Sequence, residues 1–362
     1  MISLAALVER HQKDFLYSGR LDKDQFSAFN SLRICRTPKA QGALYCCDGC
    51  GELRFVYHSC GHRFCPNCQN YKCTQWLFRQ KQRLLPCDYF MITFTIPAEL
   101  RELGKRNKEA FYKALFKSSA ASLQQLCRTK LKGECGAIAV LHSNSRTLTF
   151  HPHIHFIVPG IILNKNESSI KRVRGKYFLH YKPLSELFRG KLLAQLKDLG
   201  LSFPSHLYAK KWNVNCQNKG NGQGSLEYLS RYLMKGVVSE KSLTQNGRQI
   251  HLRYQDSTTK KMETINFSEL DFLNRLAEHV KPKGFHTIRE YGFLAPSAKK
   301  KLIRVQLLLH KILPLEPLPE KPKVTCPCCG AEMTLILRKV DSQWWEKNIA
   351  GKERAPPEAE YA

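Results

Sequence analysis

His151-Pro152-His153-Ile154-His155-Phe156-Ile157-Val158-Pro159 reads as a β-strand that carries chemistry. A strand sends alternate side chains to one face, so His153 and His155 point together while Ile154 and Phe156 turn into the core. Two imidazoles side by side in an apolar strand offer a pair of donors to a divalent ion. The competing reading is a half-exposed strand that is simply rich in histidine. Upstream, residues 136–142 form another short apolar strand, joined to the first by the turn-like run Ser143-Asn144-Ser145-Arg146-Thr147. Strands so joined are natural antiparallel neighbours, which lets His142 approach the pair as a third ligand.

Working outward, residues 88–96 alternate β-branched and aromatic side chains and end at Pro97, a further strand. Residues 107–131 and 183–199 read as helices, and a strand is expected near residues 207–216. Between them, residues 164–182 form a polar loop with Lys171, Arg172, Arg174 and Lys176, either a solvated surface or a nucleic-acid contact. The glycine-rich run 218–224 leads into Ser225-Leu-Glu-Tyr228-Leu-Ser-Arg231-Tyr232-Leu-Met-Lys235. Read as a helix, this segment puts Tyr228 and Tyr232 one turn apart, each with a cation three residues on, Arg231 and Lys235. An amphipathic helix without chemistry would have the same spacing. Later, strand patterns at 249–254 and 263–267 precede a helix whose start is signalled by Ser268 with Asp271 three residues on. The basic, aromatic segment 281–301 suits contacts to a nucleic-acid backbone.

The first third has a different character. Cys47-x-x-Cys50 and Cys65-x-x-Cys68 are two thiol pairs separated by fourteen residues, a spacing that suits one tetrahedral zinc, with Gly49, Gly51, Pro66 and Asn67 supplying tight turns. Cys35, Cys60, His58 and His62, with Cys46 and Cys73, leave donors for a second ion; the alternative is small buried residues. So little apolar sequence surrounds these cysteines that zinc is expected to supply much of the folding energy. Near the other end, Cys326-Pro-Cys328-Cys329-Gly330 is half a knuckle with no partner pair close in sequence, sharing an ion with another part of the chain or binding none.

Lys and Arg number 58 against 30 Asp and Glu, a net charge of +28 spread along the 362 residues. Such an excess points to a polyanion bound with release of counterions from its phosphates. No apolar run approaches the roughly 20 residues that span a bilayer, so a membrane is not expected as a partner. The first residues lack a basic leader and an export-type cleavage site, which predicts a cytoplasmic protein whose fifteen cysteines are reduced and available to metal. The expected organisation is a helical arm at 1–34, a zinc module at 35–73 and a basic connecting helix at 74–88. A catalytic domain at 89–310, a proline-rich linker at 311–324 and a cysteine-containing tail at 325–362 follow.

Taken together, these segments resemble a known family. HPHIH at 151–155 followed by YLSRY-x-x-K at 228–235 is similar to the HUH endonucleases with two tyrosines, and most of all to the insertion-sequence ninety-one type of rolling-circle transposase. The resemblance extends over most of the chain, through CRT at 35–37, SCGHRFCPNCQ at 59–69, FTIPAEL at 94–100, LTFHPHIHFIVPG at 148–160, EYLSRYLMKG at 227–236 and HVKPKGFHTIREYGFL at 279–294. It departs from the pattern where only Gly160 follows the histidine strand, and again after Lys235.

The resemblance implies an α+β fold, with a central antiparallel sheet, helices on one side of it, and a small zinc-binding module in front. It implies a catalytic Mg²⁺ or Mn²⁺ on His153 and His155, with His142 standing where related relaxases carry a further histidine about eleven positions upstream. It also implies Tyr228 and Tyr232 as nucleophiles that form a 5′-phosphotyrosine bond, and single-stranded DNA, both element ends and target, as the partner. A prokaryotic, nucleoid-associated location follows, and the oligomeric state is left open, a homo-oligomer included. Two rivals stand beside the transposase: a rolling-circle replication initiator or relaxase of the same chemistry, and a zinc-dependent DNA-binding regulator without catalysis.

Overall fold

The computed structural model describes residues 3–227, 237–256, 259–311 and 316–345. Its centre is a five-stranded antiparallel sheet built from β1 (Tyr89–Thr95), β2 (Ala137–Asn144), β3 (Phe150–Pro159), β4 (Asn213–Asn218) and β5 (Ile288–Tyr291), in the order β5-β2-β3-β1-β4. The histidine strand is the middle one. Period-two alternation decides its two faces: Phe90, Ile92, Phe94, Ala139, Leu141, Ile154 and Phe156 share one cluster from which water is excluded. Helix Lys108–Leu126 packs there through Phe111, Leu115 and Phe116, and helix Tyr181–Asp198 through Leu184, Phe188, Leu192 and Leu196. Each Phe, Leu or Ile so buried contributes about 1.5–3 kcal/mol, which makes this layer the anchor of the sheet.

The opposite face is not bare, contrary to the expectation of helices on one side only. Ile138, Val140 and Ile157 lie under Leu226, Phe293, Leu294 and Val305, with Trp76 and Leu77 packed alongside. These residues bring helices Asn70–Gln82 and Lys299–Leu308 over one end of that face. The other end of the same face carries the histidines.

A second core joins segments far apart in sequence. Helices Leu4–Arg10 and Lys23–Ile34 pack through Leu4, Leu7, Val8, Phe29 and Leu32 against Ile250, Leu252, Phe272 and Leu276. Those partners belong to a three-stranded sheet, Leu243–Asn246, Gln249–Gln255 and Met262–Ser268, and to the helix Glu269–Glu278, which Ser268 caps by accepting from the Asp271 N–H at 3.1 Å. Buried Glu269 closes the joint, accepting from His11 at 2.7 Å and pairing with Arg10. Helices Leu4–Arg10 and Lys23–Ile34 thus pack onto this subdomain through complementary apolar faces.

The described part of the tail, residues 325–345, is also integrated. Strand Thr334–Val340 pairs antiparallel with Gly42–Cys46, which pairs in turn with Leu53–Tyr57. Residues 316–319 of the expected proline-rich linker lie against helix Asn70–Gln82, where Tyr71 Oη donates to the Pro319 carbonyl at 3.2 Å and Gln82 Nε2 to that of Glu316 at 2.8 Å. That helix starts four residues before the expected 74, directly out of the second cysteine pair.

Candidate metal centre

Strand register assembles the site. His142 of β2 lies directly opposite His153 of β3, Val140 is opposite His155, and on the other side Thr93 of β1 is opposite His155. Alternation then puts the three imidazoles on one face, with ring centroids 5.2 Å apart for His142 and His153, 4.5 Å for His142 and His155, and 4.9 Å for His153 and His155. One nitrogen of each ring falls within 4.8 Å of the others, close enough to share one ion.

Neighbours fix the rings. His153 Nδ1 lies 2.7 Å from the His151 carbonyl, an acceptor only, so Nδ1 carries the proton and Nε2 keeps its lone pair. His155 Nδ1 meets Thr93 Oγ1 at 2.9 Å, and His151 Nδ1 meets the Arg101 guanidinium at 3.0 Å. Burial lowers the basicity of all four rings, and the neighbouring imidazoles add to it for His142, His151 and His155. His142 falls well below the ordinary histidine range, His155 to about 3 and His151 to about 4. Three neutral imidazoles, those of His142 and His155 buried and that of His153 half-buried, form the donor set that a divalent metal needs, and Thr93 and the His151 carbonyl stand as the outer partners that orient such ligands. Thr93 was legible in principle, since Thr93 and Thr95 are the polar positions alternating with Ile92, Phe94 and Ile96.

His142 and His153 open onto a groove of about 940 Å³. Its walls include Arg63 and Lys72 from the zinc module, Arg253 from strand Gln249–Gln255, and Lys281. Arg63 also staples the module in place, donating to the carbonyls of Phe285 at 2.6 Å and Lys281 at 2.8 Å and to that of Pro282. Burial and the Arg63 charge lower Lys281 to about 8. Tyr228, Arg231, Tyr232 and Lys235 lie outside the described residues.

The thiols do not group as expected. Cys47 and Cys50 are not brought to Cys65 and Cys68. Instead Cys65 and Cys68 gather with Cys35 and Cys60, with Sγ separations of 3.3 Å for Cys35 and Cys68, 3.6 Å for Cys60 and Cys68, and 3.7 Å for Cys35 and Cys65. Tetrahedral zinc with Zn–S near 2.3 Å requires sulfurs ~3.8 Å apart, so these four fit one ion. The physical reason is that Cys35 leaves the end of helix Lys23–Ile34 and Cys60 closes a loop over it, whereas strands Gly42–Cys46 and Leu53–Tyr57 carry the first knuckle away. Cys47 and Cys50 meet Cys326 and Cys329. Neither His58 nor His62 joins a metal-competent group among the described residues; His62 Nδ1 accepts from the Phe64 N–H at 3.1 Å.

Comparison with known proteins agrees with this layout. Residues 7–96 match the family model described as a transposase zinc-binding domain, and residues 136–301 the model described as a putative transposase. The two matches identify the zinc module and the histidine-bearing sheet together as parts of a transposase. The putative transposase y4qJ of Sinorhizobium fredii is 31% identical over 332 residues, covering 84% of this chain and 83% of the relative. The transposase for insertion sequence element IS801 of Pseudomonas savastanoi pv. phaseolicola is 29% identical over 306 residues, covering 77% and 72%. The conjugative relaxase TrwC in complex with mutant OriT DNA aligns with 12% identity and a TM-score of 0.26 over 60% of this chain and 72% of that one, too loosely to carry weight. This chain belongs to the transposase family that carries an N-terminal zinc-binding domain of the IS91 type. Zinc is a structural component of it. Among the described residues no helix is long and apolar enough to cross a membrane.

Proposed function

We propose that this transposase cuts and rejoins single-stranded DNA at the ends of its element, in the prokaryotic cytoplasm, through a 5′-phosphotyrosine bond to Tyr228 or Tyr232. The carrying observation is the convergence of three neutral imidazoles, His142, His153 and His155, on one sheet face beside a basic groove. A divalent ion there, Mg²⁺ or Mn²⁺, would offset charge on the phosphate oxygens and orient the phosphodiester for in-line attack. The chain on both sides of the tyrosine segment supports the reading: Leu226 packs on Val140 and Ile157, on the histidine face, and Val237 and Val238 line the groove with His142 and His153.

In the reaction a tyrosine oxygen bonds to phosphorus as the bond to the 3′ oxygen breaks, and the phenol proton ends on the released 3′ hydroxyl. The phenol, with a pKa near 10, is a weak nucleophile at neutral pH, so the cations that follow each tyrosine by three residues in sequence, Arg231 and Lys235, would favour the step. Reversal by a 3′ hydroxyl of another strand rejoins DNA without an external energy source. Arg63, Lys72, Arg253 and Lys281 would hold the backbone of an unpaired strand along the groove. Two tyrosines allow a second cut before the first bond is resolved.

The test is a labelled single-stranded element end incubated with protein and Mn²⁺, then run on a denaturing gel. A covalent adduct that Tyr228→Phe and Tyr232→Phe together abolish is expected. Cleavage without any protein-linked product, or a normal adduct from the double variant, would overturn the reading, as would unaffected cleavage by His153→Ala.

A further inference from the structure

Residues 325–345, after the proline-rich segment and outside both matched regions, contain a feature the transposase reading does not use. Cys47-Asp48-Gly49-Cys50-Gly51 and Cys326-Pro327-Cys328-Cys329-Gly330 have the same backbone course. In each, the N–H of the closing glycine donates to the carbonyl of the first cysteine at 2.9 Å, from Gly51 to Cys47 and from Gly330 to Cys326. In each, the first cysteine's N–H donates five residues on, Cys47 to Glu52 at 2.9 Å and Cys326 to Ala331 at 2.8 Å. The closing glycines have φ of 73° and 75°, the left-handed conformation that the turn needs. The N–H groups of Glu52 and Ala331 are directed at the Cys50 and Cys329 sulfurs. These are two copies of one metal knuckle.

They face each other. Cys47 Sγ lies 3.4 Å from Cys329 Sγ, and Cys50 Sγ 3.5 Å from Cys326 Sγ, across sequence separations of 282 and 276 residues. All four sulfurs lie within 4.8 Å, near the ~3.8 Å spacing of tetrahedral zinc thiolates. The surroundings hold the tail in register independently of any ion. Strand Thr334–Val340 pairs with Gly42–Cys46, Thr334 Oγ1 donates to Asp48 at 2.6 Å, Arg54 donates to the Thr325 carbonyl at 2.7 Å, and Trp345 stacks on Phe55 with ring centroids 5.5 Å apart. Met333 is buried against Cys47 and Cys326.

We propose that Cys47, Cys50, Cys326 and Cys329 hold a second structural zinc, a clasp that fastens residues 326–340 onto the N-terminal zinc module. Neither half binds alone, because two thiols are half of a closed tetrahedral site. The clasp makes the module a product of two segments 276 to 282 residues apart, so that it is completed only when residues 326–340 have been made.

Two measurements on the full-length chain decide this. In a His153→Ala background, which removes zinc from the histidine site, metal analysis should find two equivalents per chain, and one after Cys326→Ser with Cys329→Ser. Two equivalents in that variant would overturn the clasp. Alkylation of the unmutated zinc-loaded protein decides independently of how the variant folds, because Cys328 is an exposed thiol outside the quartet, next to ligand Cys329. Iodoacetamide should modify Cys328 roughly tenfold faster than Cys329, and a chelator should bring the two rates together. Equal rates with zinc bound would refute the proposal.

Discussion

Replacing Thr93 by valine removes one hydroxyl from the wall behind His155 and keeps the shape of the side chain. The hydroxyl lies 2.9 Å from His155 Nδ1, on the residue directly opposite in the sheet. For His155 to offer Nε2 to a metal, Nδ1 must carry the proton, and Thr93 Oγ1 is the acceptor that favours this tautomer. Valine leaves the other tautomer open and the ring less restrained. Loss of such an outer partner weakens metal binding 10–100-fold as a rule, about 1.4–2.8 kcal/mol. The buried N–H that loses its acceptor costs folding about 1–3 kcal/mol, partly offset by the preference of valine for strands. Mn²⁺ titration of the full-length protein by calorimetry should show the weaker Kd, and cleavage of a single-stranded element end should need correspondingly more Mn²⁺ while reaching near-normal rates at saturation. An unchanged Kd, or a cleavage defect that saturating Mn²⁺ does not restore, would refute the role given to Thr93.

Three further outcomes follow from other parts of the molecule. Cys60→Ser should remove the same zinc equivalent as Cys65→Ser, measured by metal analysis, and full zinc retention by the Cys60 variant would disprove the quartet with Cys35 and Cys68. Gly292→Ala should destabilise the protein by about 3 kcal/mol in urea unfolding, because φ is +61° and a Cβ would sit 1.8 Å from the Cys135 carbonyl oxygen; an unmoved midpoint would contradict that contact. His279 is buried, meets the Leu148 carbonyl at 3.0 Å and titrates near 4, chiefly because burial disfavours its charge. Its folded pKa lies below the unfolded value of about 6.5, so its contribution is complete above pH 6.5 and about 3 kcal/mol is lost as pH falls towards 4. His279→Gln should flatten the stability profile between those values in chelator, and an unaltered slope would show that other groups govern it.

Local periodicity made the centre of this protein legible in its sequence. Alternation along 151–159 put His153 and His155 on one face and Ile154 and Phe156 in the core, and the short turn after residue 142 made β2 and β3 neighbours, so His142 could be placed as well. The cap at Ser268 and the helices at 108–126 and 181–198 were readable for the same reason: each depends on residues within a few positions of one another. For Tyr228 and Tyr232 the sequence remains the source of the reading.

Tertiary structure alone decided which partners meet over long distances. A Cys-x-x-Cys pair is half a tetrahedral site, and nothing local says which other half completes it; Cys65 and Cys68 could have taken Cys47 and Cys50, fourteen residues before them, but took Cys35 and Cys60. The choice follows from strand pairing, because the sheet that carries Cys47 and Cys50 accepts Thr334–Val340 on its free edge and brings Cys326 and Cys329 with it. The packing of helices Leu4–Arg10 and Lys23–Ile34 on the subdomain around Ile250 and Phe272 is of the same kind. An apolar helix face announces that it will be buried, but its partner is set by complementary surfaces that only the folded chain brings together.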